Sequence, residues 1–171
     1  IEMRFKAAKE SDQILANKLD ASGKTEAAIY LTNNSSTDGN GSVGFFISGS
    51  SNVVSMSIDN QGIYNNEYWS LMVRRRQALI GSSYSEQYFS NDLTALTQSF
   101  DMYLGYYDSG TDRIIIKESG SMAVSGSTPA GWYTTGSGTN NRWYLSGNAD
   151  GSVGEQLSGS MMEFRYWSTP L

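Results

Sequence analysis

Side chains that alternate between apolar and polar run through most of this chain and predict β-strands. The alternation starts at once, where Ile1, Met3, Phe5 and Ala7 are separated by mostly charged neighbours. About ten short segments follow this pattern, and turns rich in Gly, Asn and Ser separate them. No long segment has the apolar spacing of an amphipathic helix. The sequence therefore predicts an all-β fold, an antiparallel two-sheet β-sandwich.

The pattern also predicts which side chains point inward. On the predicted strands 26–32, 67–74 and 99–107 one apolar face can be read directly. These inward residues are Ala27, Ile29, Leu31, Trp69, Leu71, Val73, Phe100, Met102, Leu104 and Tyr106. A polar turn at residues 59–62 is predicted to end one strand. Another predicted strand, residues 112–118, is expected to end at residue 118. A Gly-, Ser- and Thr-rich connection is predicted at 119–141.

Composition narrows the range of functions. A length of 171 residues fits one domain with a sizeable core. The net charge of −5 argues against nucleic acid and anionic membranes as partners, and no apolar run is long enough to insert into a bilayer. The only basic run, Arg74-Arg75-Arg76, is interpreted as a solvated strand edge. Cysteine and histidine are absent, which excludes disulfides, thiolate chemistry and His-dependent catalysis or metal sites.

The end of the chain, residues 159–171, reads GSMMEFRYWSTPL. It resembles the closing signature of laminin G-like domains in the concanavalin A-like superfamily, in which Gly-Ser, an acid, Arg and an aromatic residue precede a turn. Residues 1–7, 12–18, 67–74 and 143–147 resemble four other strands of that family, in the same order. The resemblance implies one jelly-roll domain over residues 1–171. Because the family usually has a further strand at each end, we also expect these residues to be a segment of a longer chain.

Three kinds of site follow from the residues and the resemblance. Trp132 and Tyr133 lie within Gly/Ser/Thr-rich sequence and are the predicted carbohydrate-binding residues, because exposed aromatic rings stack on sugars; packing of Trp132 into its own loop is the alternative. Asp108 and Asp112 are the candidates for a calcium site, which the family often has, although Asp in a Gly/Ser turn is usual turn chemistry. No other cofactor is expected.

Enzymatic activity is not expected. A glycosidase of this fold needs paired carboxylates facing each other across the sugar, and the motif Glu-x-Asp-x-x-Glu is absent. Glu163 is interpreted as part of a structural strand. The run Asn33-Asn34-Ser35-Ser36 contains overlapping glycosylation sequons but is interpreted as a turn.

The expected function is therefore a non-catalytic structural or adhesive domain of a large assembly that is extracellular, on a cell surface or in a virion. Its expected partners are other subunits or domains of that assembly, and surface glycans. Two alternatives remain open. One is a soluble carbohydrate-binding module attached to an enzyme, and the other is a glycoside hydrolase. The same scaffold serves all three, so the sequence alone does not separate them.

Overall fold

The computed structural model describes residues 1–8, 10–19, 23, 25–34, 36–48, 53–75, 79–80, 83–84, 98–108, 110–111, 113–124, 143–147 and 155–166. These residues contain thirteen strands and no helix. The strands are β1 (Glu2–Ala7), β2 (Gln13–Leu19), β3 (Thr25–Asn33), β4 (Gly41–Ser48), β5 (Val53–Gln61), β6 (Trp69–Arg75), β7 (Leu79–Ile80), β8 (Ser83–Tyr84), β9 (Gln98–Asp108), β10 (Arg113–Val124), β11 (Trp143–Leu145), β12 (Glu155–Gln156) and β13 (Gly159–Arg165).

Two sheets form a β-sandwich, as the sequence predicts. Sheet A has the order β10-β9-β6-β1-β13, and all its neighbours are antiparallel. Sheet B has the order β11-β2-β3-β4-β5, again antiparallel, with the short β12 pairing parallel to β2. The strands β7 and β8 pair only with each other. In sheet A the first strand therefore lies between β6 and the last strand.

The core lies between the sheets and is built by the alternation seen in the sequence. Sheet A contributes the inward side chains of β1, β6 and β9, and sheet B those of β2 to β5. Phe45 of sheet B and Phe100 of sheet A meet across the interface, with ring centroids 5.8 Å apart. The inward faces predicted for the strands around Ile29, Trp69 and Leu104 are all confirmed. Each large apolar side chain buried this way contributes about 1.5–3 kcal/mol.

Bulges interrupt the alternation in several strands. In β2, Ile14 pairs with Tyr30 and Ala16 with Ile29, so Leu15 is the extra residue. Leu15 and Ala16 consequently both face the core. In β5 and β13 the bulge contains a residue in the left-handed conformation, Asn60 (φ 56°) and Glu163 (φ 57°) respectively.

Two predicted strand ends are wrong. The expected turn at 59–62 lies partly inside β5, because the bulge at Asn60 lets the ladder continue to the pair Gly41–Gln61. The segment after Glu118, expected to be loop, instead continues β10 to Val124. The neighbouring strand explains this extension, because β9 pairs with β10 as far as Gln98–Val124. Tertiary pairing outweighs the weak strand propensity of Gly and Ser.

The connection after β3 begins with a hydrogen-bonded turn at Asn34 and Ser36, whereas Asn33 is the last residue of β3. The Asn34 side-chain oxygen accepts hydrogen bonds from the Ser36 amide (3.2 Å) and hydroxyl (2.7 Å). The amide nitrogen of the same side chain donates to Asn60 Oδ1 at 2.7 Å. Glu10 Oε1 accepts from the Gly39 amide at 3.1 Å. These contacts fix one end of the sandwich.

Tyr64, at this end of the sandwich, makes the stability of the fold depend on pH. Its hydroxyl donates to the Ser11 carbonyl at 2.9 Å. Burial, and then the charges of Asp12 and Glu10, raise the pKa of Tyr64 from 10.0 to about 12. Because the pKa is higher in the folded state than in the unfolded state, the stabilisation is complete below about pH 10 and is lost as the pH rises towards about 12.

We therefore expect Tyr64→Phe to flatten the alkaline loss of stability. Urea midpoints measured from about pH 9 to about pH 12 should fall less steeply in Tyr64→Phe than in the parent protein, since the ionising group is gone. Tyr107→Phe, at an exposed position on β9, is the matched control and should retain the parent's slope. Equal slopes in all three proteins would contradict the prediction.

Candidate functional site

The predicted carbohydrate residues Trp132 and Tyr133 lie outside the described residues, as does Asp112. Their roles remain predictions. Asp108 is described, and its carboxylate closes the turn between β9 and β10. Its Oδ1 accepts from the Gly110 amide at 2.9 Å, and its Oδ2 accepts from the Thr111 hydroxyl at 2.8 Å. This is the turn chemistry that the sequence offers as the alternative to calcium binding.

Among the described ranges, no three acidic side chains are grouped so that they could hold a metal ion. Those ranges also contain no helix of the length and apolarity needed to cross a bilayer.

A groove lies on the solvent-facing side of sheet A, where β1, β6 and β13 run side by side. The register places Arg4 opposite Ser70, and Glu2 between Met72 and Arg165. Because Met3 and Leu71 point into the core, their polar neighbours point outward. The residues that line this outer groove are Glu2, Met3, Arg4, Ser70, Leu71, Met72, Glu163 and Arg165. The groove encloses about 220 Å³.

The wall contributed by β13 depends on the bulge. Two residues of β13, Glu163 and Phe164, stand opposite the single residue Met3. Glu163 adopts the left-handed conformation there, and it is exposed and lines the groove, while Phe164 packs against the core. Bulges commonly re-aim a side chain in this way. Glu163 is thus part of a structural strand, as interpreted, and also presents its carboxylate to the groove.

Beside the groove, two cations share one aromatic ring. The Arg4 guanidinium carbon lies 5.8 Å and Lys6 Nζ lies 5.4 Å from the ring centroid of Tyr68. Both distances are within the range of cation–π attraction. Arg4 and Lys6 are two residues apart on β1, so their side chains leave the same face of the sheet. All three side chains are partly exposed.

A third cation on this face is engaged differently. Arg74 Nε lies 3.2 Å from Asp101 Oδ2, a terminal nitrogen donates to Tyr103 Oη at 3.0 Å, and the guanidinium lies 5.3 Å from the Tyr103 ring centroid. The Asp101 side chain is only 3% exposed. The interpretation of the basic run as a solvated edge is therefore wrong for Arg74, because β6 is an inner strand and Arg74 neutralises a buried acid.

A second feature lies where the edges of the two sheets approach each other. The Trp143 ring is 6.3 Å from Phe164 and 6.1 Å from Tyr166, so β11 and β13 are linked by aromatic contacts. Leu145 of β11 (47%) and Tyr166 just after β13 (45%) are exposed, and Met162 (37%) is exposed opposite Arg4. Trp143 packs against the core.

The sequence did not single out Arg4, Lys6, Tyr68 or the groove. A signal was present, since charged residues occupy every outward position of β1. That signal says nothing about which strands lie on either side of β1. No protein-family model, curated protein or solved structure matches this chain. Inference about its function therefore starts from the groove itself.

Proposed function

We propose that this chain is a non-catalytic structural and adhesive domain of a large extracellular, cell-surface or virion assembly, and that its outer groove recognises a surface glycan. The observation that carries the proposal is the composition of the groove. Guanidinium, carboxylate and hydroxyl groups from three strands converge on one shallow space. A sugar, which presents many hydroxyl groups around an apolar ring, needs such a mixture of donors and acceptors.

Small residues at the centre of the outer face of sheet A would let a ligand approach the sheet closely. Ser70 is exposed, and its neighbour across the ladder on β9 is Gly105, so two small residues stand side by side. Arg4 on one side of Ser70 and Tyr68 beside it provide a planar cation and an aromatic ring. Aromatic and guanidinium planes can pack against the apolar C–H face of a sugar ring.

The role in an assembly rests on a different surface. Leu145, Met162 and Tyr166 expose apolar area near the joined edges of β11 and β13. Exposed apolar side chains favour contacts with other proteins, here neighbouring subunits or domains. The resemblance of the strand order to concanavalin A-like domains points the same way and is part of the proposal.

A glycoside hydrolase is the second candidate, because Glu2 and Glu163 both line the groove. Two carboxylates are the minimum set for glycoside hydrolysis. A carbohydrate-binding module attached to an enzyme would use the groove without turnover, as an adhesive domain does. Turnover therefore separates the hydrolase from the other two, and imaging of the native particle separates the adhesive domain from the module.

The test is to fill the groove. Ser70→Trp places an indole on its floor and should abolish binding on a glycan array, because the ligand and the new side chain compete for the same space. The matched control is Ser55→Trp, since Ser55 is exposed on β5 of the other sheet. The control should bind like the parent protein.

Three outcomes would overturn the proposal. No binding of the parent protein to any glycan would remove the adhesive role. Equal loss of binding in Ser70→Trp and Ser55→Trp would place the site elsewhere. Release of new reducing ends from a bound glycan, abolished by Glu163→Gln, would make the protein a hydrolase.

A further inference from the structure

We infer that the ligand of the outer groove is an acidic glycan, and that Arg4 and Lys6 bind its anionic group, a carboxylate or a sulfate ester. The inference rests on the proposed function, since it names the chemical class of ligand for that site. It is carried by the two cations beside Tyr68, which have no carboxylate partner among the described residues.

Arg4 and Lys6 differ from the other cations whose side chains the structure describes. Lys18, Arg74 and Arg165 each lie within 4.0 Å of a carboxylate, at 2.6, 3.2 and 3.8 Å. Within the described ranges, no carboxylate lies that close to Arg4 or Lys6. Each of them instead lies against the Tyr68 ring. In a protein with more acidic than basic residues, two neighbouring cations without acids stand out.

The two cations are also held near each other. Both lie within 6 Å of one ring centroid, so they are at most about 12 Å apart, of the order of the Debye length of about 8 Å at physiological ionic strength. Like charges at this range repel, and an anion between them would replace repulsion with two attractions. The ring of Tyr68 limits the movement of both side chains, so less conformational entropy is lost when the anion binds.

Hydrogen-bond donors point to the same conclusion. Arg4 Nε is buried and has no acceptor in the part of the chain that is described. The guanidinium has four further N–H groups and the Lys6 ammonium has three, and an oxyanion is the acceptor that satisfies such donors best. The exposed hydroxyl of Ser70, opposite Arg4 in the ladder, is placed to bond the uncharged part of the sugar.

The net charge of the chain limits how many negative charges the ligand can carry. With a net charge of −5 the protein repels long polyanions, and only the region around Tyr68 offers cations without partners among the described residues. A single acidic group on a neutral or weakly charged glycan fits this field. The Glu2 and Glu163 carboxylates, which also line the groove, would repel a second acidic group and accept hydrogen bonds from sugar hydroxyls.

The experiment compares three matched oligosaccharides of one backbone: a sulfated form, a form with a carboxylated sugar, and a neutral form. Binding of each is measured by calorimetry for the parent protein, Arg4→Gln, Lys6→Gln and Ser55→Glu. The last variant changes the net charge by the same amount as the others, on the outer face of the other sheet. Thermal unfolding of each variant checks that the fold is retained.

We expect the parent protein to bind at least one acidic form at least tenfold more tightly than the neutral form. Arg4→Gln and Lys6→Gln should each remove most of that preference, while Ser55→Glu retains it. Preference for the sulfated or the carboxylated form identifies the anionic group. The preference should shrink as salt is raised.

Different results would overturn the acidic ligand and glycan recognition by the groove. Equal affinity for acidic and neutral forms, with binding still lost in Ser70→Trp, would overturn the acidic ligand and keep glycan recognition. Loss of the preference in Ser55→Glu as well would show a general charge effect and would also overturn the site. Absence of binding to all three forms and across a glycan array would overturn both.

Discussion

Lys18→Met is expected to lower the free energy of unfolding by about 3–5 kcal/mol, because it leaves a buried carboxylate without its partner. Lys18 Nζ lies 2.6 Å from Glu26 Oε2, and the two side chains are only 6% and 10% exposed. Lys18 pairs with Ala27 and Leu19 with Thr25, so Glu26 is the extra residue of a bulge in β3. Within the described ranges, the Glu26 carboxylate has no second ion-pair partner. Urea unfolding measures the loss.

The double variant Lys18→Met/Glu26→Leu separates the pair from the packing around it. It should recover most of the lost stability, since a buried ion pair is commonly replaced by apolar side chains at little net cost. Arg165→Met is the exposed counterpart, because Arg165 is 56% exposed and 3.8 Å from Glu2, and it should cost less than about 1 kcal/mol. A Lys18→Met effect as small as that of Arg165→Met would show that Glu26 is solvated or finds another partner.

The faces of the strands were predictable from the sequence, because successive side chains on a strand point to opposite sides. Ile29, Trp69 and Leu104 all point inward as the alternation requires. The bulges were not predictable, since a bulge is a property of two strands. Lys18 and Glu26 illustrate this: their sequence reads as two charged residues on separate strands, and only the pairing of β2 with β3 brings them together.

The groove could not be predicted from the sequence, for a related reason. Its walls come from β1, β6 and β13, which are adjacent only because the first strand lies between β6 and the last strand. Sequence reasoning favoured Trp132 and Tyr133 because aromatic residues in a polar loop can be recognised from local sequence. Arg4, Ser70 and Glu163 have no local signature, and only the register of the strands brings them to one groove.

The last strand, which suggested the fold, is also where a small change should have a large effect. Gly159 opens β13 and pairs with Ala7, and the Ser158 carbonyl accepts from the Ala8 amide at 2.7 Å. A Cβ atom on Gly159 would overlap the Lys6 carbonyl oxygen and lie 3.2 Å from Ala7 Cα. Both are backbone atoms of β1, which cannot move aside as a flexible side chain could. The substitution must therefore push β13 away from β1.

Gly159→Ala is expected to lower the free energy of unfolding by about 3 kcal/mol, the upper end of the range for overpacking, measured by urea unfolding. Because Glu163 and Arg165 of β13 line the groove, glycan binding should weaken as well, even where the protein remains folded. Gly62→Ala is the matched control. Its added Cβ would have no atom closer than 3.7 Å, so it should stay within about 1 kcal/mol of the parent and bind normally. Equal stability of the two variants would mean that β13 adapts without cost, and that close contact with β1 does not hold the groove wall in place.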